Sequence, residues 1–322
     1  MEIIIKDDLI SMATNLIDLE SILNKGENTV RINFNNLKHV SPWIYSLISN
    51  WYTHLKENGY KISFKIINAQ DDVLKYASRM NFFRYIEYDF KEDFNRHNPR
   101  GKFFPIKNFA KYDADLSSKI TEVICRKCNI DINSTNGQNQ LYMLEYCLNE
   151  LIENVDRHAF SQNGGFVVVQ SFDRLGKVEV CITDMGIGIP GSLRKTDKYK
   201  NWNSETCVRN STEKNVKTDC GEGQGNGLYI LKRLITFAGG ELEILSDNGY
   251  YKYEADNNRG NEKLLTLDCK WVGTIIKFEY NYKSDIDLNE VIDDIEYIPY
   301  SKLLEDMKEN RDFIDEYLGI SN

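Results

Sequence analysis

Glu150, Asn154 and His158 follow one another at intervals of four within Gln138–Phe160. The apolar residues Leu141, Leu144, Leu148, Leu151 and Val155 of this stretch repeat with helical spacing. Each step of four turns a helix by about 400°, so a carboxylate, an amide and an imidazole stack on nearly one face. Polar groups beside an apolar stripe are costly unless they serve a purpose, although a surface stripe is the plain alternative for this triplet alone. Asp184 closes a β-rich run and opens the segment DMGIGIP. An aspartate at a strand end can accept a hydrogen bond from an exocyclic amine, and Gly186 and Gly188 allow backbone to approach a flat ring closely. A third glycine group, GEGQGNGL from Gly221 to Leu228, precedes the helix-like YILKRLITFAGG. Glycines opening a helix offer free N–H groups and the positive end of its dipole, which suits phosphate. No GK[ST] follows, and a polar segment rather than a strand precedes, so neither a Walker A loop nor a dinucleotide fingerprint fits.

These groups need elements to hold them. Phe166–Phe172 and Lys177–Asp184 read as a β-hairpin turning at Asp173–Gly176, and Gly273–Tyr280 as a further strand. Between Pro190 and Gly221 lie thirty residues rich in Lys, Asn, Ser and Thr with little hydrophobic pattern. Upstream, Glu2–Ile5, Val30–Phe34 and Lys61–Ile67 read as strands alternating with helical runs Leu9–Leu23, Pro42–Asn58 and Asp71–Met80. Ser41 and Pro42 suit the N-cap and first position of the middle helix, and Gly59 its stop. Such alternation implies a sheet with helical crossovers. Residues 91–112, with two of the five prolines and little periodicity, read as a connector.

Taken in order, the motifs resemble the GHKL superfamily of histidine kinases, gyrases, MutL proteins and heat-shock chaperone ATPases. ELIENVDRH is similar to its N box, DMGIGIP to its G1 box and GQGNGL to its G2 box, while Gly273-Thr274 matches the Gly-Thr of its adenine pocket. The resemblance covers roughly residues 105–282 and implies Mg²⁺-ATP binding. Glu150 would then be the general base, Asn154 the Mg²⁺ ligand and His158 the polar position closing the N box. Asp184 would read the adenine amine with Thr274 in support, Gly186 and Gly188 would line the base, and Gly223, Gly225 and Gly227, leading into Leu228, would wrap the phosphates. The polar stretch 190–222 would be the ATP lid. Residues 1–90, through VRINFNNLKHVSPWIYSLISNWYTHLKENGYKISFKI, resemble the STAS-like domain of bacterial anti-sigma-factor antagonists. Members of that family switched by phosphorylation carry Asp-Ser before the central helix. Here Ser41 is followed by Pro42, which cannot accept phosphate, so docking is the implied role. The expected fold class is thus α/β: a STAS-like domain over 1–90, a linker over 91–112, and a Bergerat-type α/β sandwich with a mixed sheet and one helical layer. An acidic helical extension would follow over 283–322.

Three activities remain open. The resemblance allows slow ATP hydrolysis coupled to conformational change and a protein partner or homodimer. It equally allows a serine/threonine kinase acting in trans on a STAS-type partner, or a module that binds ATP without hydrolysing it. Glu150 does not separate them, because both reactions need a base. An autokinase would need a phosphoacceptor histidine in an acidic helical hairpin, and His39, His54 and His97 have no such setting. About forty residues follow the ATP fold, too few for the transducer domain of topoisomerases and mismatch-repair ATPases. Charge narrows the partners further. The 322 residues carry a formal charge of −9, all of it attributable to residues 285–322, where twelve carboxylates face Lys302, Lys308 and Arg311. A neutral body with an acidic appendage lacks the basic footprint that nucleic acid requires. Spaced apolar residues, Leu288, Val291, Ile292 and Ile295 and then Leu303 to Tyr317, mark this appendage as amphipathic helices. No apolar run reaches the ~18 residues of a membrane span, no secretory leader stands out, and the seven cysteines are scattered, so a cytoplasmic, bacterial protein is expected. Cys125 and Cys128 are readable as a metal or redox pair, or as incidental neighbours on a helix.

Overall fold

The computed structural model describes the whole chain except residues 97–102, 112–113, 162, 173, 219–225, 257–258 and 293–322. The chain opens with β1 (Glu2–Ile4), α1 (Leu9–Ile22), β2 (Glu27–Asn33), α2 (Pro42–Glu57) and β3 (Lys61–Ile67), followed by α3 (Asp71–Arg79) and α4 (Phe82–Tyr85). The strands form a parallel sheet in the order β1-β2-β3. Asp8 caps α1 by accepting from the Ser11 N–H at 2.8 Å. Pro42 begins α2, with Ser41 in extended conformation at the cap position, and Gly59 at φ +86° ends the turn beyond it.

The run PWIYSLISNWYTHL in α2 buries even its polar residues Ser46, Ser49 and Asn50, and the fold explains why. Twelve of its residues, Pro42 to Tyr52 and Leu55, are buried. On one side lies the parallel sheet; on the other, α2 packs against a second sheet contributed by the rest of the chain. Two polar side chains on the helix are bonded in the interior. Ser49 donates to the Tyr45 carbonyl, and Asn50 Nδ2 donates to Thr183 Oγ1 at 3.1 Å, across to the second sheet.

That sheet is made from β4 (Phe103–Phe109), β5 (Gly165–Phe172), β6 (Lys177–Asp184), β7 (Gly240–Asp256) and β8 (Arg259–Asn281), in the order β4-β5-β6-β8-β7. Each of its pairings is antiparallel. The mixed character expected of one sheet is therefore divided between two: the parallel pairing is confined to the N-terminal sheet. Strand β4 lies inside the stretch read as a connector. Its proline and the bulge between Phe104 and Lys107 hide the period-two pattern by which strands are recognised.

Helices α5 (Ala114–Cys128), α6 (Thr135–Asn154) and α9 (Gly227–Ala238) cover the inner face of the antiparallel sheet. Strand alternation assigns the faces: Val178, Val180 and Ile182 of β6 join the helical core, whereas Cys181 joins the core around α2. Cys125 and Cys128 lie at the end of α5 with no disulfide between them, and among the described residues no group of His, Cys, Asp and Glu could hold a metal ion.

The polar stretch after Pro190 is more structured than its composition suggests. It contains α7 (Gly188–Leu193) at its start, a short 3₁₀ turn at Asp197–Tyr199 and α8 (Ser204–Asn210). Leu193, Tyr199 and Cys207 form a small core, too widely spaced in sequence to show a period. Helix α8 lies against β7, where a Cβ on Gly249 would meet the Ser204 carbonyl at 2.5 Å. Arg194 ties this stretch together, donating to the Trp202 carbonyl at 2.8 Å and to Ser204 Oγ at 3.0 Å. Beyond the sheet, α10 (Leu288–Ile292) buries Val291, whose carbonyl accepts from Arg233 at 2.9 Å. The rest of the expected amphipathic appendage, from residue 293, lies outside the described residues. No helix among the described residues is long and apolar enough to cross a membrane.

Candidate functional site

Helix α6 starts where Ser134 accepts from the Gly137 N–H at 3.0 Å. The sequence predicts one helix as far as Phe160, but the α-helix ends at Asn154 and a π turn, Val155–Ala159, replaces its last turn. The wider turn carries His158 and presents the Ala159 carbonyl to the Ile187 N–H at 2.7 Å. Gly186 is required at this junction, because a Cβ there would stand 1.9 Å from the same carbonyl. The end of α6 and the segment after β6 are thereby locked together.

Across the sheet edge, register brings three polar side chains into one row. Asp184 of β6 pairs with Thr274 of β8, and Thr274 pairs with Ser246 of β7. All three occupy inner-face positions, continuing Ile182, Ile276 and Ile244. The row is buried, with Ser246 at 0% and Asp184 at 5% exposure. Gly188 (φ +72°) and Gly273 (φ +86°) close in around it; a Cβ on Gly273 would lie 2.2 Å from the Asp184 carbonyl. Asp184 Oδ1 accepts from the Gly186 N–H at 2.8 Å. Burial pushes the Asp184 carboxyl up to about 7, against the backbone N–H groups of Gly186 and Thr274, which pull it down.

Row and helix face one open cleft of roughly 1040 Å³, solvent at its mouth included, a size that suits a small organic ligand. Of the residues singled out in the sequence, Glu150, Asn154, His158, Asp184, Gly188, Gly227, Leu228 and Thr274 line it. Gly186 sits behind the wall, and Gly223 and Gly225 fall outside the described residues. Glu150 lies at the start of α9, where a Cβ on Gly227 would approach its Oε2 to 2.8 Å. This glycine is thus demanded by the carboxylate beside it, whatever else it touches. Burial, then Glu153, raise the Glu150 carboxyl to about 6, with Arg157 opposing. His158 is held below the ordinary histidine range by burial and by the positive charges of Arg157 and Lys195, so it is neutral at pH 7.

Sequence reasoning passed over two residues here. Arg157 lines the cleft and pairs with Glu153 at 2.6 Å. Ser246 bonds Ile189, Gly273 and Thr274. The signal for Ser246 was present: it is the one hydroxyl in the inward series Leu242, Ile244, Ser246. Lys217, Ser211 and Thr218, from the stretch before the glycine-rich run, also reach the cleft wall.

Residues 140–270 match the family model described as histidine kinase-, DNA gyrase B-, and HSP90-like ATPase. Among solved structures, the B-subunit of the DNA gyrase from Myxococcus xanthus is similar at 12% identity and a TM-score of 0.29, over 50% of this chain and 42% of that one. The chain thus spans less than half the length of that subunit. No curated protein matches the chain. The matched segment contains Glu150, Asn154, Asp184, Gly227 and Ser246, so the similarity to that family model falls on the segment that supplies most of the cleft.

Proposed function

We propose that the protein binds Mg²⁺-ATP in this cleft and hydrolyses it slowly, coupling nucleotide state to a conformational change sensed by a protein partner or a second copy. The observation that carries the reading is the placement of Glu150. A half-buried carboxylate titrating near 6 shares the cleft with the buried Asp184. Such a group is ionised at pH 7 yet basic enough to take a proton from water attacking the γ-phosphate. Asn154, one helical turn further on and lining the same cleft, offers the oxygen a hard cation prefers and would hold Mg²⁺. When bound, the ion would neutralise charge on the phosphates. The glycine-rich run, Gly223 and Gly225 included, would wrap the phosphates ahead of Gly227. Stretch 190–222 would close over them. Conformational coupling has a physical route: α2 is buried between the two sheets, and its Asn50 holds Thr183, the neighbour of Asp184. On this reading residues 1–90 are a docked STAS-like unit that senses the nucleotide domain of 105–282. A cytoplasmic setting accords with the six described cysteines, none of which is in a disulfide.

Incubation with γ-labelled ATP, alone and with STAS-type candidate partners, tests the reaction. Free phosphate is expected. Label on protein would replace the ATPase with a kinase acting in trans, and neither would leave a binding module. Glu150→Ala should keep ATP binding while phosphate release falls about 100-fold or more. Equal rates in mutant and wild type would remove Glu150 from the chemistry.

A further inference from the structure

The cleft end bounded by Asp184 and Thr274, with Ser246 buried behind Thr274, contains more than the position of one carboxylate. Ser246 Oγ has three partners within hydrogen-bond distance: the Ile189 N–H at 2.9 Å, the Gly273 carbonyl at 2.8 Å and Thr274 Oγ1 at 3.1 Å. A serine hydroxyl owns one proton and two lone pairs. The Ile189 amide can only donate, so it takes one lone pair. The Gly273 carbonyl can only accept, so it takes the proton. One lone pair remains, and Thr274 can satisfy it only by donating its own proton. The Thr274 hydroxyl therefore points its hydrogen at Ser246 and leaves lone pairs alone on the cleft side, where Thr274 forms part of the wall.

We infer that Ser246 fixes the direction of the Thr274 hydroxyl and so makes this end of the cleft select a 6-amino purine over a 6-oxo purine. The inference rests on the nucleotide reading above and deepens it. An ionised Asp184 and an acceptor-only Thr274 form a pair of acceptors. An exocyclic amine brings two N–H donors to that pair, directly or through one water. A carbonyl at the same ring position brings only lone pairs and leaves buried acceptors facing an acceptor, which is costly. The surroundings keep Ser246 in place. A Cβ on Gly188 would come within 2.6 Å of Ser246 Oγ, so the two glycines of this corner are the room in which the hydroxyl sits. Without Ser246 the Thr274 hydroxyl is free to rotate and donate into the cleft, and the pair becomes ambiguous. Ser246 touches no ligand in this scheme; it is a positioning residue acting through Thr274.

The test compares ATP with inosine triphosphate, which carries a carbonyl in place of the amine. Dissociation constants of both are measured by calorimetry on the full chain at pH 8, above the Asp184 titration. Wild type should prefer ATP. Ser246→Ala should cut the ATP-to-inosine-triphosphate preference about tenfold, chiefly by improving inosine triphosphate, as expected for one hydrogen bond switched from repulsive to donated. Thr274→Val should narrow the preference as well, and the double variant should add nothing to Thr274→Val. Ser246→Cys, close in shape but weak as donor and acceptor, gives the same reading should Ser246→Ala not fold. Equal weakening of both nucleotides would make Ser246 merely structural and overturn the inference. Additive effects of the two substitutions would overturn it too. A wild type that prefers ATP with an unchanged ratio in Ser246→Ala defeats this inference alone; a wild type that binds neither nucleotide defeats the nucleotide reading with it.

Discussion

The antiparallel sheet buries carboxylates on both faces, Asp184 on the inner one and Glu179 and Glu243 on the outer one, and the surroundings of Asp184 and Glu179 are opposite. Asp184 on the inner face sits at the sheet edge against a cleft. Its described hydrogen-bond partners are backbone N–H groups, and no salt bridge to it is found among the described residues. Glu179 on the outer face lies beneath α2 and α3 among charged neighbours. Lys277 bonds Glu243 at 2.7 Å and lies 3.5 Å from Glu241, Lys252 reaches Glu241 at 3.0 Å, and the Lys277 ammonium stands over the Trp43 ring of α2 at 5.5 Å. Burial pushes both carboxyls up to about 7. Lys277 then pulls Glu179 down while Glu279, Glu241 and Glu243 push it up. Lys277 itself is drawn down by burial but held above the ordinary lysine range by Glu243 and Glu179. A shifted carboxyl therefore does not by itself mark a site. What separates the two is the partner set: the outer group is compensated by a cation inside a sealed interface, and the inner one faces open space where a ligand's donors can complete it.

Removing the cation should break the outer arrangement first. Lys277→Met is expected to destabilise the fold by about 3 kcal/mol, because it leaves several buried carboxylates uncompensated, while ATP affinity measured on the folded fraction stays close to wild type. Denaturant unfolding and calorimetry read the two quantities; a large loss of affinity at unchanged stability would merge the faces into one functional unit. The inner group should behave in the opposite way. Asp184→Asn should weaken ATP by roughly 10- to 100-fold, the value of a hydrogen bond to a charged acceptor, with little loss of stability. Unchanged affinity would dismiss Asp184 as the reader of the base. The smallest effect is that of pH. Ionised Asp184 accepts from the amine, so ATP binding should hold above pH 7 and weaken by up to about tenfold per unit as pH falls through 7, the direction required when ligand binding favours the charged form. Asp184→Asn should flatten this profile, whereas a profile that persists in the variant would assign the titration to Glu150 or Glu179.

Much of the inner face was legible before any coordinates. Glu150, Asn154, Asp184, Gly188, Gly227 and Thr274 carry their chemistry in residue type and short spacing, and all six reach one cleft. The outer face was not legible. Glu179, Glu243 and Lys277 look like the polar half of ordinary alternating strands, the pattern of a solvated face. Only the docking of α2 turns them into a buried cluster. The same limit hid β4, whose proline and bulge erase its period, and the small core of Leu193, Tyr199 and Cys207.

The sequence by itself determined the long helices α1, α2, α3, α6 and α9, most strands and the order of the chemical groups along the chain, because caps, glycines and periodicity act within a few residues. It also determined that the body is neutral and the charge sits at one end. Tertiary structure decided which polar residues share a row. Ser246 and Thr274 are twenty-eight residues apart, and Asp184 is far from both, yet strand register sets them side by side. It decided as well that α2 belongs to two sheets at once. Register and burial are relations between distant segments, so no local pattern encodes them.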